Sequence, residues 1–166
     1  MTKQEIINHI MNSKESYTHK PRFLIHEVDC GMTSINRVLS IFENGLKASF
    51  SDWEHVSAYL PHRPKGNFFY GEHIKHPEYD ITKIKVFIKD IDTEFLYAFP
   101  ANASYYANEL ANDGMMIENG VEALKEIKPV KYKYFNCEFE PEWIYTLDIP
   151  KENLHNKWYK ETGGVL

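Results

Sequence analysis

An alternating segment in the middle of the chain constrains the fold most strongly. In residues 81–89, ITKIKVFIK, the apolar side chains Ile84, Val86 and Ile88 alternate with Lys83, Lys85 and Lys89, except at Phe87. Successive side chains of a strand point to opposite faces of a sheet, so this pattern predicts a strand with one buried and one exposed face. We therefore expect the chain to build a sheet with one solvated side at this strand.

The remaining segments predict further short strands mixed with helices in no regular order. Strands are predicted at residues 22–28, 67–71, 93–99, 131–135 and 142–149. Helices are predicted at residues 3–14, 34–44, 51–60, 101–114 and 120–127. Because this order lacks a regular βαβ alternation, it predicts an α+β fold.

Local signals mark the ends of two of these helices. Thr2 and Glu5 form a T-x-x-E capping box ahead of the first apolar residues, which predicts a helix that ends near Lys14. Asn44-Gly45 is a strong signal for a helix C-terminus.

Length and composition indicate a single domain of ordinary globular character. The 166 residues carry no internal repeat or linker between domains, so we expect one domain over residues 1–166. Within it, residues 1–20 are predicted to form a helix and a linker, and residues 21–155 the core. The formal net charge of −5 argues against a nonspecific nucleic-acid binder.

The chain shows no sign of a membrane or secretory protein. Its start, MTKQEIINHIM, lacks the apolar core of a signal peptide, and no segment approaches the ~20 apolar residues of a membrane helix. Two cysteines are too few for a disulfide scaffold. We expect a cytoplasmic protein of the producing cell, or of a target cell if a secretion machine or a phage delivers it, without a membrane partner.

Two groups of polar residues are candidates for a site. His26 interrupts the apolar strand FLIHEV, and a single histidine there is more often structural than catalytic. Glu138, Glu140 and Glu142 are spaced by two in CEFEPEWIY, so they would share one face if the segment is extended. The alternative is a solvated turn, in which Pro141 interrupts the strand pairing.

Taken in order, four motifs resemble the ADP-ribosyltransferase superfamily, whose members cleave NAD at the nicotinamide–ribose bond. The motifs are FLIHEV, RVLSIFENGLKAS, EFLYAFPANASYYANEL and EWIYTLDIPKENL, and together they span residues 23–154. The resemblance is to the branch built on His, Tyr and Glu, since no Ser-Thr-Ser segment is present. It implies a split α+β fold, with two small sheets packed at an angle around an NAD cleft and with flanking helices.

The resemblance also implies roles for individual residues. His26 would hydrogen-bond the ribose on the nicotinamide side of NAD. Glu142 would be the catalytic carboxylate that stabilises the positive charge developing on the sugar. Glu140 would act on the acceptor, which is a protein or a nucleic acid.

Further cofactor contacts follow from the same resemblance. Tyr97, Tyr105 or Tyr106 would stack on the nicotinamide ring, since an aromatic face suits a flat cationic pyridinium. Arg22 could reach a phosphate. Glu27 follows His26 at a position where the family often has a small residue, and we expect it to contact the cofactor as well. Residues 51–79 match no part of the family pattern. We expect them to form a loop that either covers NAD or recognises the target.

Other chemistries are indicated more weakly. His73, His76 and Glu72, with His62 and His55, have ligand-type side chains on a loop, but such a spacing alone does not indicate a metal. Cys30 lies close to His26 without a supporting signature for a nucleophile. The lysines between residues 125 and 133 favour a solvated face, or a guide for an anionic substrate such as NAD or nucleic acid.

A non-enzymatic protein is the alternative from a different class. An acidic, aromatic-rich single domain of this size could block a partner by surface contact, as an inhibitor encoded by a phage or mobile element does. An NAD enzyme of this family requires His26 and Glu142 to converge in one concave pocket. An inhibitor has no need for that convergence.

Overall fold

The strands and helices of this protein form the α+β fold that the sequence predicts. A computed structural model describes residues 1–12, 19–28, 34–48, 57–75, 80–113 and 118–165. The strands within these ranges are β1 Phe23–Glu27, β2 Asn67–Gly71, β3 Lys83–Phe87, β4 Leu96–Pro100, β5 Val130–Lys131 and β6 Pro141–Tyr145. The α-helices there are α1 Lys3–Met11, α2 Ser34–Asn44, α3 Ala101–Asp113, α4 Gly120–Leu124 and α5 Lys157–Thr162.

The strands of the described ranges form one antiparallel sheet in the order β3-β1-β2-β6-β4-β5. Five residue pairs join β1 to β3 and five join β4 to β6, whereas only Leu24 with Gly71 and Ile25 with Tyr70 join β1 to β2. The two halves of the sheet thus meet at a narrow junction. This pairing makes the sheet continuous, so the described strands do not form the two separate sheets that the resemblance implies.

Helices cover both faces of the sheet, and each face has its own core. One face, here called the α2 face, packs Phe69, Trp143 and Ala98 with α2 and with Trp158 of α5. The other face, here called the α3 face, packs apolar residues of β4 and β6 against α1, α3 and α4. Its buried members include Ile6, Ile10, Phe99, Ala103, Ala107, Leu124 and Ile144.

The pairing register assigns each strand residue to one of these faces. Ile25 lies opposite both Lys85 and Tyr70, and Glu142 lies opposite Phe99. The register between β2 and β6 ends at the pair of Phe69 with Trp143. Because side chains alternate between the two faces, Tyr70 and Glu142, which flank that pair, lie on the α3 face together with Lys85, Ile25 and Phe99. The α2 face carries Ile84, His26, Phe69, Trp143 and Ala98.

The predicted helix signals are confirmed. The backbone N–H of Glu5 donates to Thr2 Oγ1 at 3.1 Å, and that of Thr2 donates to Glu5 Oε1 at 3.3 Å, which completes the capping box of α1. Helix α1 ends at Met11, before the expected end near Lys14. Helix α2 ends at Asn44, and Gly45 has the positive φ of +85° that its position requires.

The strand prediction for residues 131–135 is wrong beyond Lys131. Tyr132–Tyr134 form a 3-10 turn instead. The Tyr132 hydroxyl donates to the carbonyl of Pro21 at 3.0 Å, and its ring lies 5.5 Å from the Trp143 ring. These long-range contacts bind Tyr132 into the core and override the local β-propensity. The helix predicted at residues 51–60 lies mostly outside the described residues.

Candidate functional site

Glu142 is a buried carboxylate on the α3 face. Only 7% of the residue is exposed. Its Oε1 atom accepts hydrogen bonds from Arg63 Nε at 2.8 Å and from Ser104 Oγ at 2.5 Å. Burial raises the pKa of Glu142 above its ordinary value, while the Arg63 charge and the hydrogen bond from Ser104 act in the opposite direction. Side chains from two other parts of the chain thus hold the desolvated carboxylate of Glu142.

The backbone brings Ser104 to Glu142. Pro100 lies opposite Pro141 at the ends of β4 and β6, and the backbone N–H of Ala101 donates to the carbonyl of Glu140 at 2.9 Å. Helix α3 therefore begins directly beside the start of β6. Ser104 lies in the first turn of that helix and reaches the carboxylate from there.

Arg63 reaches Glu142 from the segment that precedes β2. Leu60 anchors this segment in the α3-face core. Gly66 lies against β6 so closely that an added Cβ would be 2.2 Å from the carbonyl oxygen of Tyr145. The Arg63 side chain is only 5% exposed, so this is a buried ion pair. Buried ion pairs depend on full hydrogen bonding to offset the cost of desolvation.

Tyr70 lies on the same face as Glu142, near enough for the Glu142 charge to act on its hydroxyl, and it is half-buried. Burial, and then the carboxylates of Glu27 and Glu142, raise the pKa of its hydroxyl. Its ring contacts Phe68 edge-on at 4.8 Å. The sequence analysis did not select Tyr70. The alternation in NFFYG indicates that Phe68 and Tyr70 share a face, but only the register places that face beside Glu142.

Charged residues of β1 and β3 extend this face beyond Tyr70. Glu27 pairs with Lys83 Nζ at 2.5 Å, and the Lys83 side chain is only 12% exposed. Lys85 Nζ lies 4.2 Å from the centre of the Phe23 ring. Glu27, predicted as a cofactor contact, therefore lies on the same face as Glu142, with Tyr70 near both carboxylates.

His26 lies on the opposite face of the sheet from Glu142. Its Nδ1 is 2.9 Å from the carbonyl oxygen of Phe68, and its ring lies 5.4 Å from that of Phe69 in the α2-face core. The expected convergence of His26 and Glu142 in one pocket is not found. The cause is the alternation of β1, in which Ile25 and Glu27 occupy the face that Glu142 uses.

Glu140 lies just before β6 and faces His73. His73 Nε2 is 3.7 Å from Glu140 Oε1, and the two side chains are 8% and 35% exposed. Burial lowers the pKa of His73, whereas Glu140 and Glu72 act to raise it. Glu140 is thus the more accessible carboxylate of the E-x-E pair. It lies near His73, a histidine whose sequence context is compatible with a metal ligand or with a solvated loop residue.

The other predicted cofactor contacts are dispersed. Tyr97 lies on the α3 face opposite Ile144 of β6. Tyr105 is 61% exposed on α3, and Tyr106 contacts His9 of α1 edge-on at 6.0 Å. Arg22 is 82% exposed, and its Nη2 pairs with Glu72 Oε2 at 3.1 Å. The structure therefore does not gather these residues around Glu142.

The alternative chemistries find little support among the residues that the structure describes. Within those ranges, no group of three or more His, Cys, Asp or Glu side chains could hold a metal ion. His55, His76 and Cys30 lie outside the described residues. Cys137 has a φ of +56°, and burial raises the pKa of its thiol, which disfavours the reactive thiolate.

Comparisons with known proteins do not assign this chain to a family. No protein-family model, curated protein or solved structure matches it. Among the described helices, none has the length and apolar character needed to span a bilayer. The chemistry of the site therefore has to be argued from its own geometry.

Proposed function

We propose that this protein transfers ADP-ribose from NAD to a macromolecular acceptor, with NAD bound over the α3 face beside Glu142 and Tyr70 and without the contact to His26 that the resemblance implies. One observation carries the proposal, which is the desolvated carboxylate of Glu142 next to a half-buried tyrosine. Within the described ranges, both hydrogen bonds to this carboxylate end on Oε1. In this proposal Oε2 is the oxygen that meets a ribose hydroxyl.

The chemistry of NAD cleavage suits such a group. The bond between the anomeric carbon and the nicotinamide nitrogen breaks, its electron pair stays with nicotinamide, and neutral nicotinamide leaves. The ribose then carries positive charge until an acceptor oxygen or nitrogen bonds to the same carbon and loses its proton. A carboxylate in a water-poor site stabilises that charge more strongly than one in bulk water.

Arg63 and Ser104 prepare Glu142 for this role. Burial favours the neutral acid, and the Arg63 charge counteracts that preference. Ser104 and Arg63 also hold Oε1 in place at 2.5 and 2.8 Å, so the carboxylate needs no reorientation when charge develops. In this proposal both are positioning residues.

Tyr70 takes the stacking role that the resemblance assigns to a tyrosine. Its ring lies on the same face as Glu142, and burial and then the carboxylates of Glu27 and Glu142 raise the pKa of its hydroxyl. A flat, cationic pyridinium is attracted to such an aromatic face. Glu27 would then meet the cofactor on the other side of Tyr70. The resemblance implies a fold that is split into two sheets. In this protein the split would correspond to the place where only two residue pairs join β1 to β2.

The test compares Glu142→Gln, Tyr70→Ala and His26→Gln with the wild type, using labelled NAD and a host-cell lysate. We expect Glu142→Gln to lower nicotinamide release by about 10²–10³-fold, because the lost charge acts in the transition state. Tyr70→Ala should mainly weaken NAD binding. His26→Gln should keep turnover within about threefold, since His26 lies on the other face. The exposed Glu126→Gln is the matched control for a lost carboxylate.

A second candidate is the non-enzymatic binding protein, favoured by the placement of His26 and Glu142 on opposite faces. In that case Glu142 is a structural ion-pair partner. The wild type would then neither release nicotinamide nor bind NAD in a calorimeter. Glu142→Gln would show only a lowered free energy of unfolding.

A further inference from the structure

A basic and aromatic surface lies at the β5 edge of the sheet. It is formed by Lys20, Lys131, Lys133 and Tyr134 and is called here the lysine–tyrosine edge. Lys20 Nζ donates to the carbonyl of Lys133 at 3.1 Å. Lys133 Nζ and Lys131 Nζ lie 2.8 and 3.4 Å from the carboxylate of Glu94. These contacts bring Lys20 next to Lys131 and Lys133, which lie more than 100 residues later in the chain.

An exposed aromatic ring lies among these cations. Tyr134 is 68% exposed, and Lys133 Nζ lies 5.1 Å from the centre of its ring. Phe95, next to Glu94, is 40% exposed. Tyr132 is turned into the core, and Lys20 Nζ lies 5.0 Å from the centre of its ring. A large exposed ring beside a cation offers aromatic surface on which a planar group can stack.

The charge balance distinguishes this surface from other lysines of the chain. Lys3, Lys125 and Lys83 each pair with a carboxylate. At the lysine–tyrosine edge, Glu94 is shared by two lysines, and Lys133 and then Lys131 lower its pKa. Three lysines and one shared carboxylate give these four groups a net positive charge, on a chain whose net charge is −5.

We infer that the lysine–tyrosine edge binds single-stranded nucleic acid. The lysines would contact successive phosphates, and Tyr134 would stack on an unpaired base, the combination by which sequence-tolerant binders hold a single strand. An acidic peptide would use the lysines but not the exposed ring. The binding requires neither NAD nor Glu142 and so goes beyond the proposed transferase.

Fluorescence anisotropy with a labelled oligothymidylate of about 12 nucleotides tests this inference. We expect binding that weakens by about 20-fold between about 50 and about 200 mM salt, as three phosphate contacts on a single strand predict. Tyr134→Ala should weaken binding by about 5-fold or more through the lost stacking. Replacing Lys20, Lys131 and Lys133 together by Gln should remove most of the salt dependence.

Matched variants separate this binding from nonspecific attraction and from catalysis. Lys3→Gln with Lys125→Gln removes two lysines that lie elsewhere on the surface, and Glu142→Gln removes the proposed catalytic group. Both should bind the oligonucleotide like the wild type. The inference is overturned if the wild type fails to bind at about 50 mM salt, or if the triple lysine variant binds unchanged. Equal competition by a duplex or by polyglutamate of the same charge also overturns it, because neither offers an unpaired base.

Discussion

At the scale of single residues, the environment of Glu142 decides what this carboxylate can do. A charged group that is 7% exposed is tolerated only when its oxygens are hydrogen-bonded and its charge is countered. Arg63 and Ser104 meet that requirement at a single oxygen. The same contacts serve stability and, under the proposed function, orientation, so the two roles have to be separated by measurement.

Removing the positive charge of Arg63 alone should destabilise the protein more than removing both members of the ion pair. We expect Arg63→Met to lower the free energy of unfolding by about 3–5 kcal/mol, because it leaves an uncompensated buried charge. Adding Glu142→Leu should restore at least the loss of about 3–5 kcal/mol caused by Arg63→Met, because no buried charge then remains. Urea unfolding of the two single variants and the double variant measures this coupling.

An exposed ion pair provides the reference for that cycle. Lys125 pairs with Glu122 at 3.0 Å, and both side chains are more than half exposed. Lys125→Met should change the free energy of unfolding by less than about 1 kcal/mol. If Arg63→Met costs no more than this control, Glu142 is not held as a buried charge.

At the scale of elements, the connection into β2 is built for close contact with β6. Gly66 precedes β2, and its missing side chain lets the backbone approach Tyr145. This approach places Arg63, three residues earlier, within reach of Glu142. The lack of a side chain at Gly66 thus helps to bring Arg63 to Glu142, where the two form the buried ion pair.

Alanine at Gly66 should therefore be costly. Its Cβ would lie 2.2 Å from a carbonyl oxygen of β6, which cannot move without breaking the sheet. We expect the free energy of unfolding to fall by about 3 kcal/mol or more. Gly163→Ala is the control, since its Cβ would meet nothing within 4 Å and only the positive φ of +64° opposes it, at about 1–2 kcal/mol. Similar losses in the two variants would show that Gly66 does not limit this packing.

At the scale of the whole molecule, one sheet carries two cores. Trp143 and Ile144 are neighbours in β6, yet they belong to the α2-face core and the α3-face core, respectively. Loss of either core would expose one side of the same strands. Small domains of this type usually unfold in a single transition, so we expect the two cores to unfold together.

A change in the α3-face core should therefore be detected from the α2 face. Ile10 is fully buried in α1, and Ile10→Ala should cost about 2–5 kcal/mol. Tryptophan fluorescence, to which Trp143 and Trp158 contribute, and far-UV circular dichroism should report the same lowered urea midpoint. Leu147→Ala, at a side chain that is 39% exposed, should leave both midpoints nearly unchanged. Separate midpoints for Ile10→Ala would mean that the cores unfold independently.

Several features of the fold could be predicted from local patterns. The alternation of residues 83–87 identifies β3, the capping box identifies the start of α1, and Asn44-Gly45 marks the end of α2. These signals involve residues within one turn or one strand, so backbone and side-chain preferences determine them. Helix α5 was missed because it is a short helix capped by Asn156, with a single buried residue, Trp158.

The sequence by itself determined the α+β class and which residues of each strand share a face. Only the tertiary structure decided that Glu142 meets Arg63 and Ser104, which are 79 and 38 residues away along the chain. It also decided that Tyr70 and Glu27, rather than His26, lie on the side of Glu142. The physical reason is register, because a shift of one residue between paired strands moves every side chain of a strand to the other face. Register depends on long-range packing, which no local pattern contains.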